Sequence, residues 1–253
     1  MDEEALHSRL SRITTIWSLV ADQRRVSPDA LRDARLALIQ RYQGAAYRYL
    51  LGAVRDPDVA DELFQQFALR VVEGAFGRAD PRRGRFRDYL KATLFHLVVD
   101  YQRGHRARPK ALEGDVVQPA AADREAADSE RQFLNSWRDE LLARAWRTLA
   151  EAEGQGGQPY WSVLRFRVEN PAASCAEMAA ALTERLRPGR PYTETGIRKT
   201  LQRARERFAE ALIDDVASSL GEHTPEELEQ ELIDLEMLSY CRSALTRRLR
   251  RPP

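Results

Sequence analysis

Apolar residues recur along most of this chain three or four positions apart, and that spacing confines it to helices. Val59, Leu63, Phe67 and Val71 fall four apart, so a helix would carry them as one buried stripe. Phe86, Leu90, Leu94, Leu97 and Tyr101 keep helical spacing. So do Leu31, Leu38, Tyr42, Tyr49 and Leu50 before them, and Phe133, Leu134, Trp137, Leu141, Leu142, Ala145, Trp146 and Leu149 after them. The expected fold class is all-α.

The points where these segments stop and restart divide the chain. A short apolar helix around Ile13, Ile16, Trp17 and Val20 precedes a longer one from Pro28 through Leu51, which is expected to end near Gly52 and Asp56-Pro57. With the segments beginning at Val59 and Phe86 they make a first small helical domain, residues 1–106. Over residues 107–129 the period disappears and Pro109, Gly114 and Pro119 enter. Such composition buries too little surface to offset its ordering entropy, so a flexible linker is expected.

A second small helical domain, residues 130–215, opens with the Phe133 segment. Its Gly154–Pro159 stretch has neither a preceding strand nor a following Gly-Lys-Ser/Thr, so it reads as a connection rather than a phosphate loop. The next helix, Tyr160 to Val168, carries Trp161, Val163, Leu164 and Phe166 and would pack beneath the two that follow. Ser174-Cys175-Ala176-Glu177 reads as a capping box that starts a helix with Met178, Leu182 and Leu186 on its apolar side. Arg187-Pro188-Gly189-Arg190-Pro191 breaks that helix, and Thr193 caps another in which Ile197, Leu201, Ala204, Phe208 and Leu212 point inward. Residues 216–253 form a C-terminal helical extension. Thr224-Pro225-Glu226-Glu227 starts an acidic helix whose stripe, Leu228, Leu232, Leu235 and Leu238, is expected to fold back on the second domain. For the basic end, Arg242 to Arg251, DNA contact and a frayed terminus are the alternatives.

What the buried stripes leave outside carries the functional reading. Asp61, Glu62, Gln65 and Gln66 face away from their stripe together, as a solvated strip or as a partner face. Arg82, Arg83, Arg85, Arg87 and Lys91 crowd the start of the next helix, against its macrodipole. Aromatic rings among guanidinium groups suit single-stranded nucleic acid, by stacking and by phosphate pairing; for Phe86, Phe95 and Tyr101 the alternative is core. Thr195, Arg198, Lys199, Gln202 and Arg203 occupy the outer arc of the Thr193-capped helix, with the donors that base edges and phosphates in a major groove require. The formal net charge of the 253 residues is only +1, which does not fit bulk attraction to DNA. Charge is segregated instead, basic from Arg78 to Arg108 and acidic from Glu222 to Glu236. A DNA reader that first joins a larger assembly fits that balance.

Three blocks in order, Asp61-Glu62-Leu63-Phe64-Gln65-Gln66-Phe67, Gly84-Arg85-Phe86-Arg87-Asp88-Tyr89-Leu90 and His96-Leu97-Val98-Val99-Asp100-Tyr101-Gln102-Arg103, resemble region 2 of bacterial sigma factors. The wording is similar to the extracytoplasmic-function type of the sigma-70 family, in its planctomycete branch. Gly196-Ile197-Arg198-Lys199-Thr200-Leu201-Gln202-Arg203-Ala204-Arg205-Glu206-Arg207-Phe208 resembles region 4 of the same family. The resemblance implies a region 2-like bundle and a region 4-like helix-turn-helix. It implies core RNA polymerase and promoter DNA as partners, with an anti-sigma protein as a further one. By position, Asp61, Glu62, Leu63, Gln65, Gln66 and Phe67 would form the polymerase-binding segment. Arg85, Tyr89, His96 and Arg103 would lie near the melted −10 strand, and Thr195, Arg198, Lys199, Gln202 and Arg203 would meet the −35 duplex. The linker would thread toward the RNA path, where Glu113, Asp115, Asp123 and Glu125 could mimic nucleic-acid charge; a plain tether is the alternative. Tyr89 replaces the family's usual Trp and His96 a common Asn, which bears on the preferred −10 bases.

Catalysis has little support. His96 and Asp100 stand four apart and could share a helix face as an acid-base pair or as two metal ligands. His7, His105 and His223 are scattered, however, and no nucleophile motif or Gly-rich fingerprint completes a site. The expectation is a non-enzyme without cofactor or metal, its Cys175 and Cys241 ordinary thiols. No apolar run approaches the length of a membrane span and the N-terminus lacks the order of an export signal, so a cytoplasmic protein without membrane insertion is expected. The rivals to a sigma factor are a stand-alone helix-turn-helix regulator and a helical protein-interaction module.

Overall fold

The computed structural model describes residues 27–74, 85–107, 119–220 and 223–250. The expected helix around Trp17, the cations Arg82 and Arg83, and Glu113 and Asp115 lie outside them. Among the described residues the fold is all-α, with no strand. Its helices are α1 (Pro28–Val54), α2 (Pro57–Val72), α3 (Phe86–Ala107), α4 (Pro119–Gly154), α5 (Tyr160–Glu169), α6 (Cys175–Leu186), α7 (Glu194–Leu220), α8 (Pro225–Asp234) and α9 (Leu238–Arg250). The described residues divide into two compact units, one formed by those up to Glu140 with 218–220 and His223, the other by 141–217 with 224–250. No described helix is long and apolar enough to cross a membrane.

In the first unit, local chemistry sets the helix ends. Ser27 accepts from the Ala30 amide at 3.3 Å with Pro28 in the first turn, and Asp56 accepts from the Asp58 and Val59 amides at 3.0 and 3.3 Å ahead of Pro57. Between them α1 stops at Arg55, whose φ of 57° is left-handed. The helix thus ends between Gly52 and Asp56-Pro57, where the stop signal stands in the sequence. Gly52 leaves room for the end of the Gln132 side chain, whose Nε2 donates to the Tyr49 carbonyl at 3.0 Å.

Leu38, Tyr42, Tyr49 and Leu50 of α1, Leu63, Phe67 and Val71 of α2, and Phe86, Leu90, Leu94 and Leu97 of α3 are buried together with Phe133 and Trp137 of α4. Trp137 stacks on Tyr42 at 5.0 Å, and Phe133 meets Tyr49 edge-on at 5.6 Å. The segment expected to open the second domain thus completes the core of the first, and the boundary falls after Glu140 instead of before residue 130. Of the linker expected over 107–129, residues 119–129 are instead helical, and 108–118 lie outside the described residues. The Ala-rich run from Ala120 has high helix propensity, which outweighs the polarity that suggested a tether.

The second unit starts from the remainder of α4. The glycine stretch is the C-cap of that helix: Gly156, at φ 87°, donates to Glu153 O and Gly157 donates to Ala152 O, both at 3.0 Å, the paired bonds of a Schellman motif. Glu153 also accepts from the Ser162 amide and hydroxyl at the start of α5. Arg167 of α5 donates to Pro171 O, Ala173 O and Met178 Sδ, fixing the turn into α6. Arg144 and Asp215 form a largely buried ion pair between α4 and α7.

From Thr224 on, the described part of the extension belongs to this unit. Leu228, Leu232, Leu235, Cys241, Ala244 and Leu245 are buried, and the Tyr240 ring stands edge-on to Phe208 of α7. Burial pushes the Cys241 thiol up to about 11, so at neutral pH it stays protonated. Cys175, at the first position of α6, is half-buried. Alkylation of the native protein is expected to modify one thiol promptly, with Cys241 following only on unfolding. Equal rates at both would show that α9 does not pack.

Candidate functional site

Three helical faces hold the residues singled out from the sequence, two in the first unit and one in the second. On α2 the apolar stripe turns inward and Asp61, Glu62, Gln65 and Gln66 are all exposed. Leu63 and Phe67, included in the expected docking segment, are buried at 2% and 0% exposure. They cannot touch a partner and instead seat the helix from beneath. On the outer face Gln66 donates to Glu62 at 3.3 Å, and the Asp61 carboxylate lies beside the Tyr47 phenol of α1 as a hydrogen-bond acceptor. That bond raises the Tyr47 pKa, because the carboxylate favours the protonated phenol. Leu69 and Val72 prolong the exposed face as an apolar end that the four-residue stripe did not announce.

On α3, Tyr89, His96 and Arg103 are seven apart, which keeps them on one face over about 21 Å of helix. Tyr89 is half-buried, and its loss of solvent raises the phenol pKa; His96 and Arg103 are exposed, and Arg85 stands half-buried just before the helix. Phe95 is 39% exposed beside His96, with ring centroids 6.1 Å apart, and His105 stacks on Tyr101 at 5.2 Å. Phe95 lies on the outer side of the helix and adds a ring beside His96, leaving the core alternative, whereas Tyr101 and His105 fall on the opposite side, in line with the buried stripe. Phe86 is core, being buried at 1% exposure.

The basic crowding at the start of α3 is smaller than the sequence suggested. Arg87 is buried, 4.0 Å from Asp88, and Lys91 pairs with Glu130 of α4 at 2.8 Å. The Lys91 hydrogen bond holds the Glu130 carboxyl below its usual range, with Arg87 contributing. Both cations therefore serve the packing of α4 on α3, which the apolar period could not reveal. Of the basic residues described there, Arg85 and Arg103 remain on the candidate face.

In the second unit, α6 and α7 have the caps their sequences foretell. Ser174 Oγ accepts from the Glu177 amide at 3.2 Å while Glu177 accepts from the Ser174 amide at 2.7 Å, and Thr193 Oγ1 accepts from the Gly196 amide at 3.1 Å. The turn between the helices is tied down by the Tyr192 amide, which donates to Thr183 Oγ1 at 2.9 Å. Ile197, Leu201, Ala204, Phe208 and Leu212 are buried, which turns Thr195, Arg198, Lys199, Gln202 and Arg203 to solvent. Arg198 pairs with Glu194 one turn back, and Gln202 donates to Glu206 at 3.3 Å. The face offers N–H and O–H donors in a row, the arrangement that base edges and phosphate oxygens accept.

Among the described residues no three His, Cys, Asp or Glu side chains are grouped as metal ligands would be. No family model matches the chain, and no curated protein and no solved structure matches it either.

Proposed function

We propose that this protein is a cytoplasmic sigma factor of the extracytoplasmic-function type, a non-catalytic subunit that directs core RNA polymerase to promoters. The outer face of α2 docks on the polymerase, α7 holds the −35 duplex and the Tyr89–Arg103 face of α3 takes the opened −10 strand. The observation that carries this reading is the division of labour between two units. One presents an acidic, amide-bearing face next to an aromatic and cationic one, while the other presents a capped helix lined outward with donors. Capture of an unstacked base costs a few kcal/mol, which stacking on rings such as Tyr89 and Phe95 can offset. The chain's near-neutral charge fits a subunit whose DNA affinity arises in the assembled complex.

The test is complex formation. Purified protein mixed with the core RNA polymerase of its own source should co-elute with it at one-to-one stoichiometry on gel filtration. The complex should protect promoter DNA that neither component protects alone. A folded protein that elutes apart from core polymerase would sink the reading, and duplex binding in that case would favour a stand-alone regulator built on α6 and α7.

A further inference from the structure

Glu206 adjoins the row of outer donors on α7. Glu206 follows Gln202 and Arg203 at helical spacing on the same side, and a bare carboxylate there would repel the phosphates that Lys199 and Arg203 attract. It is not bare, because Arg247 of α9 reaches it at 2.8 Å. That contact brings the basic end of the C-terminal extension to the candidate DNA face. The α9 sequence, LSYCRSALTRRLR, contains no acid, and Arg247, Arg248 and Arg250 fall in its last turn. Arg248 is directed elsewhere, to Asp214. Arg250 lies one turn beyond Arg247 on the same side of α9 and is exposed.

We propose that α9 completes the nucleic-acid face of α7, Arg247 cancelling the charge of Glu206 and, with Arg250, adding contacts to duplex phosphates beside Lys199 and Arg203. This rests on the reading of α7 as a duplex-facing helix and extends it to an element outside the region 4 resemblance. The chemistry of arginine permits the double role. A guanidinium has five N–H donors in a planar fork, so one edge can hold a carboxylate while the other meets a phosphate oxygen. The Arg247 side chain keeps 46% of its surface exposed while paired, which leaves that second edge accessible. The Arg247 hydrogen bond is also the main reason that the Glu206 carboxyl lies below its usual range, so the pair is charged throughout the neutral range. The macrodipole alone would favour cations in the last turn of α9. It does not account for the direction of Arg247 toward the donor face, and the experiment separates the two.

Phosphate contacts carry no sequence information, so the full-length protein can be titrated against a fluorescent mixed-sequence duplex of about 30 base pairs, at low to physiological salt. Arg247→Ala and Arg250→Ala are each expected to weaken binding by about 3- to 10-fold at low salt and to flatten the salt dependence by about one unit of slope. Lys199→Ala/Arg203→Ala should do so by about twice as much, and Arg165→Ala, which removes equal charge from α5, should not. Adding Glu206→Gln to Arg247→Ala should recover much of the lost affinity. If the α9 variants bind like the parent while Lys199→Ala/Arg203→Ala is weakened, the inference is overturned and the reading of α7 stands; an acidic protein would then be the better partner for α9. If Lys199→Ala/Arg203→Ala has no effect, the reading of α7 fails and the inference with it. Weakening by Arg247→Ala that Glu206→Gln does not relieve, together with a parent-like Arg250→Ala, would mean that Arg247 only anchors α9, and would also overturn it. Thermal unfolding of each variant confirms that it is folded.

Discussion

Replacing both Asp61 and Glu62 by arginine is expected to abolish co-elution with core RNA polymerase while leaving the fold and the affinity for duplex DNA unchanged. Both side chains are exposed at the fifth and sixth positions of α2, beyond the first turn where the helix dipole would penalise a cation. Exposed substitutions of this kind change stability by about 0.5 kcal/mol or less. Binding responds differently, because a complementary charge becomes a like charge, and each such juxtaposition costs several kcal/mol. Two of them should weaken the complex by about 100-fold or more. Asp61 and Glu62 belong to one unit and the donors Thr195 to Arg203 to the other, which makes parent-like duplex binding the internal control. A variant that still co-elutes at full stoichiometry would remove α2 from the docking surface.

How far this architecture was legible in the sequence depends on the range of the interaction that decides each feature. Capping is decided within four residues, and the boxes at Ser174–Glu177 and Thr224–Glu227 stand where their motifs place them, the latter with bonds of 3.2 and 2.8 Å. Periodicity is decided within one helix, and it correctly turned Ile197, Leu201, Ala204, Phe208 and Leu212 inward, leaving the α7 donors exposed. Periodicity says that a stripe is buried without saying what covers it. Phe133 and Trp137 therefore read as the start of a second domain although their rings complete the core of the first. Charge suffers the same limit. Arg87 and Lys91 look like partner-facing cations beside Arg85, and only the approach of Glu130, some 40 positions along the chain, reveals them as structural. For Phe95 the sequence leaves an outward ring and a core ring both open, since a ring in an apolar run carries no local mark of which it is, and only its exposure decides.

The reassignment of α4 leads to the largest stability effect expected in the chain. Trp137→Ala should destabilise the first unit by about 3–5 kcal/mol, a large fraction of what a small helical unit possesses. The indole is 1% exposed and touches rings from three helices: Tyr42 of α1 at 5.0 Å, Phe86 of α3 at 6.3 Å and Phe133 of its own helix at 6.0 Å. Truncation removes the transfer energy of the ring and leaves a cavity that three helices cannot close without moving. The pairs of aromatic rings add about 0.5–1.5 kcal/mol beyond area. Hydrogen exchange can locate the damage, because local opening exposes amides in the unit that has lost its core. Amides of α1 and α3, around Leu38–Leu50 and Leu90–Val98, should exchange far faster in the variant, while those around Ile197–Val216 of α7 keep their protection. Acceleration confined to α7 would return Trp137 to the second domain, where its sequence position first put it, and would undo the boundary after Glu140. The same variant reaches function by a defined route. If Trp137 supports the first unit, its loss should weaken polymerase binding through a poorly seated α2 and leave duplex binding by α7 intact, a split that a defect in the second unit would reverse.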